Sequence, residues 1–324
     1  MATRTLDSPP AILPLYARAA APLIPGASLL PFVPGRGKDV PDLELELTGV
    51  TPDPAKVAAY ARVCGFALRD RLPPTYPHVL AFPLHMAVMA DSSFPFGAVG
   101  LVHVENRIVQ HRPIAIGEEL KLRVRPTPLE PHPRGRTFGL LTEAWSGRQK
   151  AWESTSTMLR RGGGTPAARD DGGQTTAEDR ADRGNAETEG QAAELTVSAE
   201  WRLGGDLGRR YGGVSGDRNP IHMHSLTARP LGFPSAIAHG MWTKARCLAA
   251  LEGRLPDAFA VEVRFRKPVH LPGRVEFLSD AGGERIDFAV RDAKRHTPHL
   301  DGVVEPVVPK KRPATAHKSS GRKK

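Results

Sequence analysis

Apolar and polar residues alternate with period two through 100–108 (GLVHVENRI), 119–124 (ELKLRV), 137–143 and 151–158. The same alternation returns through 259–265 (FAVEVRF), 274–277 and 285–290. Such alternation predicts half-buried strands. Ahead of each series stands an apolar stretch with few charges on any face, 79–89 (VLAFPLHMAVM) and 237–251 (IAHGMWTKARCLAAL). Each reads as a helix covered on most sides. One long helix followed by several strands is an α+β pattern, an antiparallel sheet wrapped around a central helix, and it disfavours a Rossmann fold. The Gly35-Arg-Gly37-Lys38 run lacks the spacing of a phosphate-binding loop and reads as a turn.

The two series look like copies of one plan. Tyr60-Ala-Arg-Val63-Cys64-Gly65 and Tyr211-Gly-Gly-Val214-Ser215-Gly216 share a Y-x-x-V-[C/S]-G frame at an offset of 151. A basic residue and proline, Arg112-Pro113 and Lys267-Pro268, precede the second strand of each copy. Between the copies, residues 162–191 contain no Leu, Ile, Val, Phe, Tyr or Trp, so they cannot offset their ordering entropy and read as a disordered linker. The expected organisation is a Pro-rich segment over 1–35, one domain over 36–161, the linker, a second domain over 192–309 and a basic tail over 310–324.

Composition narrows the class. A chain of 324 residues suits two domains. No apolar run is long enough to span a membrane, and prolines 9, 10, 14, 22, 25, 31 and 34 break the N-terminal stretch that a secretory signal would need. Cys64 and Cys247 lie among apolar neighbours and read as buried, inert thiols, too few for a disulfide framework or a cysteine zinc site. A cytoplasmic location is expected. The net charge of +10 is concentrated in the tail, where seven basic residues stand without an acid. The tail therefore reads as a solubilising end, and no specific nucleic acid is expected.

Chemistry concentrates in Ser215-Gly216-Asp217-Arg-Asn219-Pro220-Ile221-His222, with Ala238-His239-Gly240 downstream. Ser, Gly, Asp, Asn and Pro in succession form a turn. A rigid loop of this kind can present the Asp217 carboxylate and the His222 imidazole on one side, where they grip a water and move protons at neutral pH. Free N–H groups at the start of the following helix, with Gly240 permitting close approach, can meet a developing negative charge. Asn219 is open between loop support and ligand contact, and His239 between ligand contact and capping. Tyr211, present in both copies, reads as packing. His222, His224 and His239 have spacing compatible with a metal set, but the turn already has a metal-free explanation, so no metal is expected. Arg264, Arg266 and Lys267 suit phosphates or solvated strand edges equally well.

The run S-G-D-x-N-P-I-H followed by G-F-x-x-x-I-A-H-G-M (Gly232, Phe233 and 237–241) is similar to the signature of MaoC-like (R)-specific enoyl-CoA hydratases. The stretches LPPTYPHVLAFP and FPFG (94–97) resemble the N-terminal half of double-hotdog members of that family. The resemblance implies two hotdog domains forming an intrachain pseudo-dimer. It also implies reversible hydration of trans-2-enoyl thioesters to (3R)-3-hydroxyacyl thioesters. It assigns water activation to Asp217 and His222, loop support to Asn219 and thioester-oxygen binding to the Gly240 amide, with His239 beside it. It implies no cofactor: CoA or acyl carrier protein arrives as part of the substrate, and a homodimer of such chains can form. At the offset of 151, Phe66 and Arg71 stand where the second copy has Asp217 and His222; allowing a gap, Met86 follows His85 where Gly240 follows His239. The first domain is therefore expected to be non-catalytic, completing the pseudo-dimer and accommodating the acyl chain or only scaffolding its partner. The rival readings are a hotdog acyl-CoA thioesterase and a non-enzymatic acyl-thioester binding module.

Overall fold

In the first half, β2 (Leu43–Val50), α2 (Pro54–Cys64) and α3 (Tyr76–Met89) lead into β3 (Leu101–Gln110), β4 (Leu120–Pro126), β5 (Glu130–His132), β6 (Gly135–Ser146) and β7 (Gln149–Arg161). In the second half, β8 (Thr196–Leu203), α4 (Leu207–Ser215), α5 (Pro220–Met223), α6 (Ser225–Ala228) and α7 (Gly240–Ala250) lead into β9 (Phe259–Phe265), β10 (Gly273–Ser279), β11 (Ile286–Asp292) and β12 (Pro298–Pro306). This computed structural model describes residues 2–21, 34–35, 37–98, 100–162, 195–280 and 282–307. The predicted linker, apart from Gly162, and the basic tail lie outside the described residues.

The two halves share one connectivity. Strands run β2-β4-β6-β7-β3 in the first half and β8-β10-β11-β12-β9 in the second, and the small β5 pairs off this path with β6. Each is a hotdog fold, an antiparallel sheet wrapped around α3 or α7. β3 and β9 pair antiparallel at the centre, with Ile108 opposite Val261 and Arg107 opposite Glu262, so both sheets merge into one. The core packs helix against sheet: Leu84 and Val88 from α3 are buried with Leu122 and Trp152, and Leu248 from α7 with Val263 and Phe288.

Lysine stitches the seam. Lys244 of α7 is fully buried, and its Nζ donates to Asn106 O (3.0 Å), Asn106 Oδ1 (2.6 Å) and Val261 O (3.2 Å), one strand from each half. All three ammonium donors are thus met by neutral acceptors, and burial drives its pKa well below that of an ordinary lysine. The repeated Tyr-x-x-Val frame also meets its copy, with the Tyr60 and Tyr211 rings 6.0 Å apart. Tyr211 is buried, as its presence in both copies predicts.

Two features depart from the sequence reading. The helix expected from Ile237 begins at Gly240, because Ala238 N donates to Val269 O (2.9 Å) and Ile237 bridges His270, which holds the chain extended up to His239. The N-terminal segment, read only as broken by prolines, forms β1 (Ala2–Leu6) and α1 (Ile12–Ala20). β1 adds to β2 in parallel, and α1 packs on α3 through buried Leu15 and Ala19.

Candidate active site

Helix α4 stops where the repeated frame ends, at Gly216, whose φ of 78° places it in the left-handed region. Past it the chain folds on its own side chains. Asp217 N donates to Ser215 Oγ (3.2 Å), Asn219 N to Asp217 Oδ1 (3.1 Å) and Ile221 N to Asn219 Oδ1 (3.4 Å). Asn219 thereby caps α5, whose first residue is Pro220, and α5 carries His222. Thus the Ser-Gly-Asp-x-Asn-Pro-Ile-His run is a helix stop, an Asx turn and a capped helix start in sequence, and Asn219 supports the loop.

This loop brings Asp217, His222 and His239 together, with donor atoms of all three within 4.8 Å of one another. The imidazoles of His222 and His239 stack at 3.7 Å. His222 Nδ1 donates to Ile237 O at 2.8 Å, which leaves Nε2 as the basic nitrogen. His239 Nε2 lies 3.0 Å from the Asp217 carbonyl oxygen and 3.8 Å from Oδ2, while its buried Nδ1 has no hydrogen-bond partner. Burial lowers the pKa of His222 against the opposing pull of Asp217 and the Ile237 carbonyl. Burial and then His222 push His239 to about 3. Burial works to raise the Asp217 carboxyl, but His239, His222, the Asn219 N–H and the Tyr16 hydroxyl outweigh it and hold it below the ordinary value. The resting site is therefore an ionised carboxylate beside neutral imidazoles. Three such donors could also ligate a cation, each imidazole having only one nitrogen on a backbone carbonyl.

The trio opens on a cavity of about 310 Å³ that both halves line. Gly240, first residue of α7, is on its wall, and a Cβ there would lie 3.0 Å from the Phe265 ring, so a larger residue would have to push that ring back from the helix start. Val79, Phe82, Met89 and Leu101 supply apolar wall from the first half. Arg266 and Lys267 also line the cavity, whereas Arg264 instead pairs with Glu105 at 3.4 Å on the seam. His224 caps α6 with its own Nδ1 (3.2 Å from Leu226 N) and is not part of the cluster.

The structure adds one residue that the sequence does not announce. Tyr16 of α1 donates to Asp217 Oδ1 (3.1 Å) and accepts from Arg218 N (2.7 Å). Burial and the neighbouring carboxylate push its pKa far up, so it stays a donor. A tyrosine in a proline-broken stretch carries no signal for this, since its partner is 201 residues away.

The structure also revises the comparison of the halves. Phe66 does follow the left-handed Gly65 as Asp217 follows Gly216. Arg71, however, bridges Ala115 as Ile237 bridges His270, so it is the counterpart of Ile237 and not of His222. The first half runs from Gly65 through 66–70 into that bridge, whereas the second takes the longer path 217–236, which bears His222. His85 lies in mid-α3, bonded to Thr142 Oγ1 (2.7 Å), and is not the counterpart of the α7 cap His239. Phe66 is buried, and among the described residues it does not line the cavity; Arg71 is half-exposed and pairs with Asp257.

Comparison with known proteins places these features. Residues 187–302 match the model of the MaoC like domain family. The chain is 36% identical over 278 residues to 3-hydroxyacyl-thioester dehydratase X of Mycobacterium tuberculosis, covering 86% of this chain and 94% of that protein. It is 40% identical over 67 residues to 3-hydroxybutyryl-CoA dehydratase of Methylorubrum extorquens, covering 19% of this chain and 43% of the relative. The crystal structure of HtdX of Mycobacterium tuberculosis superposes with a TM-score of 0.69 at 34% identity, over 82% of this chain and all (100%) of that one.

Proposed function

The chain belongs to the MaoC-like dehydratase family, a lineage of hydro-lyases, and on that footing we propose that it interconverts trans-2-enoyl and (3R)-3-hydroxyacyl thioesters. The observation that carries this reading is the convergence of the Asp217 carboxylate and the His222 imidazole on one cavity wall, next to the N-terminus of α7. With Oδ1 of Asp217 occupied by Tyr16 and Asn219, Oδ2 is the oxygen left to hold a water. The proton on His222 Nδ1 leaves Nε2 to take a proton from that water.

In hydration, the water oxygen bonds to C3 as His222 Nε2 accepts its proton. The electron pair of the C2–C3 double bond shifts toward the thioester oxygen, which receives hydrogen bonds from the first N–H groups of α7, Gly240 foremost. The proton held by His222 then passes to C2 on the same face. Water has been added across the double bond, and dehydration is the same path reversed. Acyl-CoA or acyl-carrier-protein thioesters are the substrate class, and Arg266 and Lys267 supply positive charge for the carrier's phosphates. None of these steps requires a cofactor of the protein's own. The second half holds the chemistry and the first shapes the acyl limb of the cavity.

The test is to incubate the full chain with crotonyl-CoA and longer trans-2-enoyl-CoAs and to analyse the products by chiral chromatography. Loss of enoyl absorbance with (3R)-3-hydroxyacyl-CoA as product is expected. Release of free CoA thiol without that product would instead support a thioesterase. Among the described residues no helix is long and apolar enough to cross a membrane.

A further inference from the structure

The wall that the first half contributes to the cavity is not hydrocarbon throughout. His78 and His85, two turns apart on α3, bring their rings within 4.8 Å. His103 of β3 has its ring 6.4 Å from that of His78 and 5.0 Å from that of Phe265, the residue packed against Gly240. All three line the same cavity as Asp217 and His222. His85 is satisfied by Thr142. His78 is only 9% exposed, and its Nδ1 and the Nε2 of His103 are buried with no hydrogen-bond partner.

Nine in ten or more buried polar groups are paired, so the unpaired nitrogens of His78 and His103, side chains that line the chamber away from Asp217, need a reason as that of His239 does beside it. Burial above all keeps both imidazoles uncharged near neutrality, with His78 lowered to about 4 and His103 to about 3. They are therefore neutral hydrogen-bonding groups and not anion receptors. With only a plain alkyl chain in the chamber they stay unpaired, which is costly. An unpartnered imidazole nitrogen presents a hydrogen or a lone pair according to tautomer, and a hydroxyl can answer either. The reacting C2–C3 bond must sit between Asp217, His222 and the start of α7. The histidines stand on α3 and β3 among Val79, Phe82 and Leu101, along the limb left for the rest of the chain.

We propose that His78 and His103 bind a hydroxyl carried on the acyl chain beyond the reacting double bond, which makes hydroxylated enoyl thioesters the preferred substrates. This rests on the hydration reading above.

The experiment compares kcat/KM of the full chain for trans-2-octenoyl-CoA and for its 5-, 6-, 7- and 8-hydroxy derivatives. One or more hydroxylated substrates should exceed the parent by about tenfold or more, as expected where a site is built to hydrogen-bond a substrate hydroxyl. His78→Leu and His103→Leu should each reduce that ratio severalfold, with His103→Gln restoring part of it. Octenoyl-CoA turned over as well as or better than every hydroxy derivative by the wild-type protein would overturn the proposal while leaving hydration intact. If no enoyl-CoA of the series were hydrated, the underlying function would fall, and this inference with it. The wild-type ratio decides the matter even where a leucine variant does not fold.

Discussion

The Tyr16 hydroxyl lies 3.1 Å from Oδ1 of Asp217 and at the same time receives the Arg218 N–H at 2.7 Å. An N-terminal helix outside both hotdog units therefore holds the loop that carries the carboxylate.

Removing that hydroxyl takes a donor from an ionised carboxylate, so the carboxyl pKa rises. In the proposed mechanism Asp217 acts as the anion and stops working below its pKa; the acid limb of the kcat/KM profile should therefore move to higher pH in Tyr16→Phe. At the pH optimum a loss of about 5- to 30-fold is expected, corresponding to a charge-assisted hydrogen bond of about 1–2 kcal/mol. A purely structural tyrosine would leave the acid limb in place, which pH–rate profiles of the two proteins would reveal.

Buried neutral histidines make stability depend on pH. His78 is lowered to about 4, and His103 and His239 to about 3, each chiefly by burial. Unfolded histidine titrates near pH ~6.5. Above that value both states are neutral and the groups contribute no pH dependence. As pH falls below it, the unfolded chain takes up protons that the native one refuses, so stability is lost toward the folded pKa values. At pH 5 the loss is at most about 2 kcal/mol for each such imidazole. Carboxylates such as Glu118, held at about 2 mainly by Arg112, act only at lower pH. Tm should thus fall between pH 6.5 and 5, with proton uptake on unfolding; a flat profile there would contradict the neutral assignment.

Phe66 occupies the position after the helix stop that Asp217 holds in the second half, and it is buried in the core outside the cavity. Phe66→Ala should cost about 3–5 kcal/mol of stability. Thermal or urea unfolding will show it, while turnover per folded molecule and chain-length preference stay near wild type. A change in chain-length preference without loss of stability would place Phe66 at the substrate instead.

What was legible in the sequence followed local rules. Period-two alternation located β3, β4, β6, β7, β9, β10 and β11 but not β2, β5, β8 or β12, and the charge-poor runs located α3 and α7. The Ser-Gly-Asp-x-Asn-Pro-Ile-His loop could be read because each of its residues acts on a neighbour within a few positions. The start of α7 was misjudged because Ile237 and Ala238 are held extended by a strand segment some thirty residues on, a tertiary contact that propensity does not encode. Matching Arg71 with His222 needs a constant offset, which the longer path of 217–236 against 66–70 breaks. Tyr16 and the orphaned nitrogens of His78 and His103 escaped notice for a shared reason: their surroundings are assembled from both halves or from a distant helix, and only the folded chain brings them to the site.

The most direct test of the account removes the acid–base pair while keeping its shape. Asp217→Asn and His222→Gln, purified as full-length protein with wild-type circular dichroism, should each lower kcat for enoyl-CoA hydration by about 10²- to 10⁴-fold. Either variant retaining more than about a tenth of wild-type turnover would contradict the assignment of these two residues to the water.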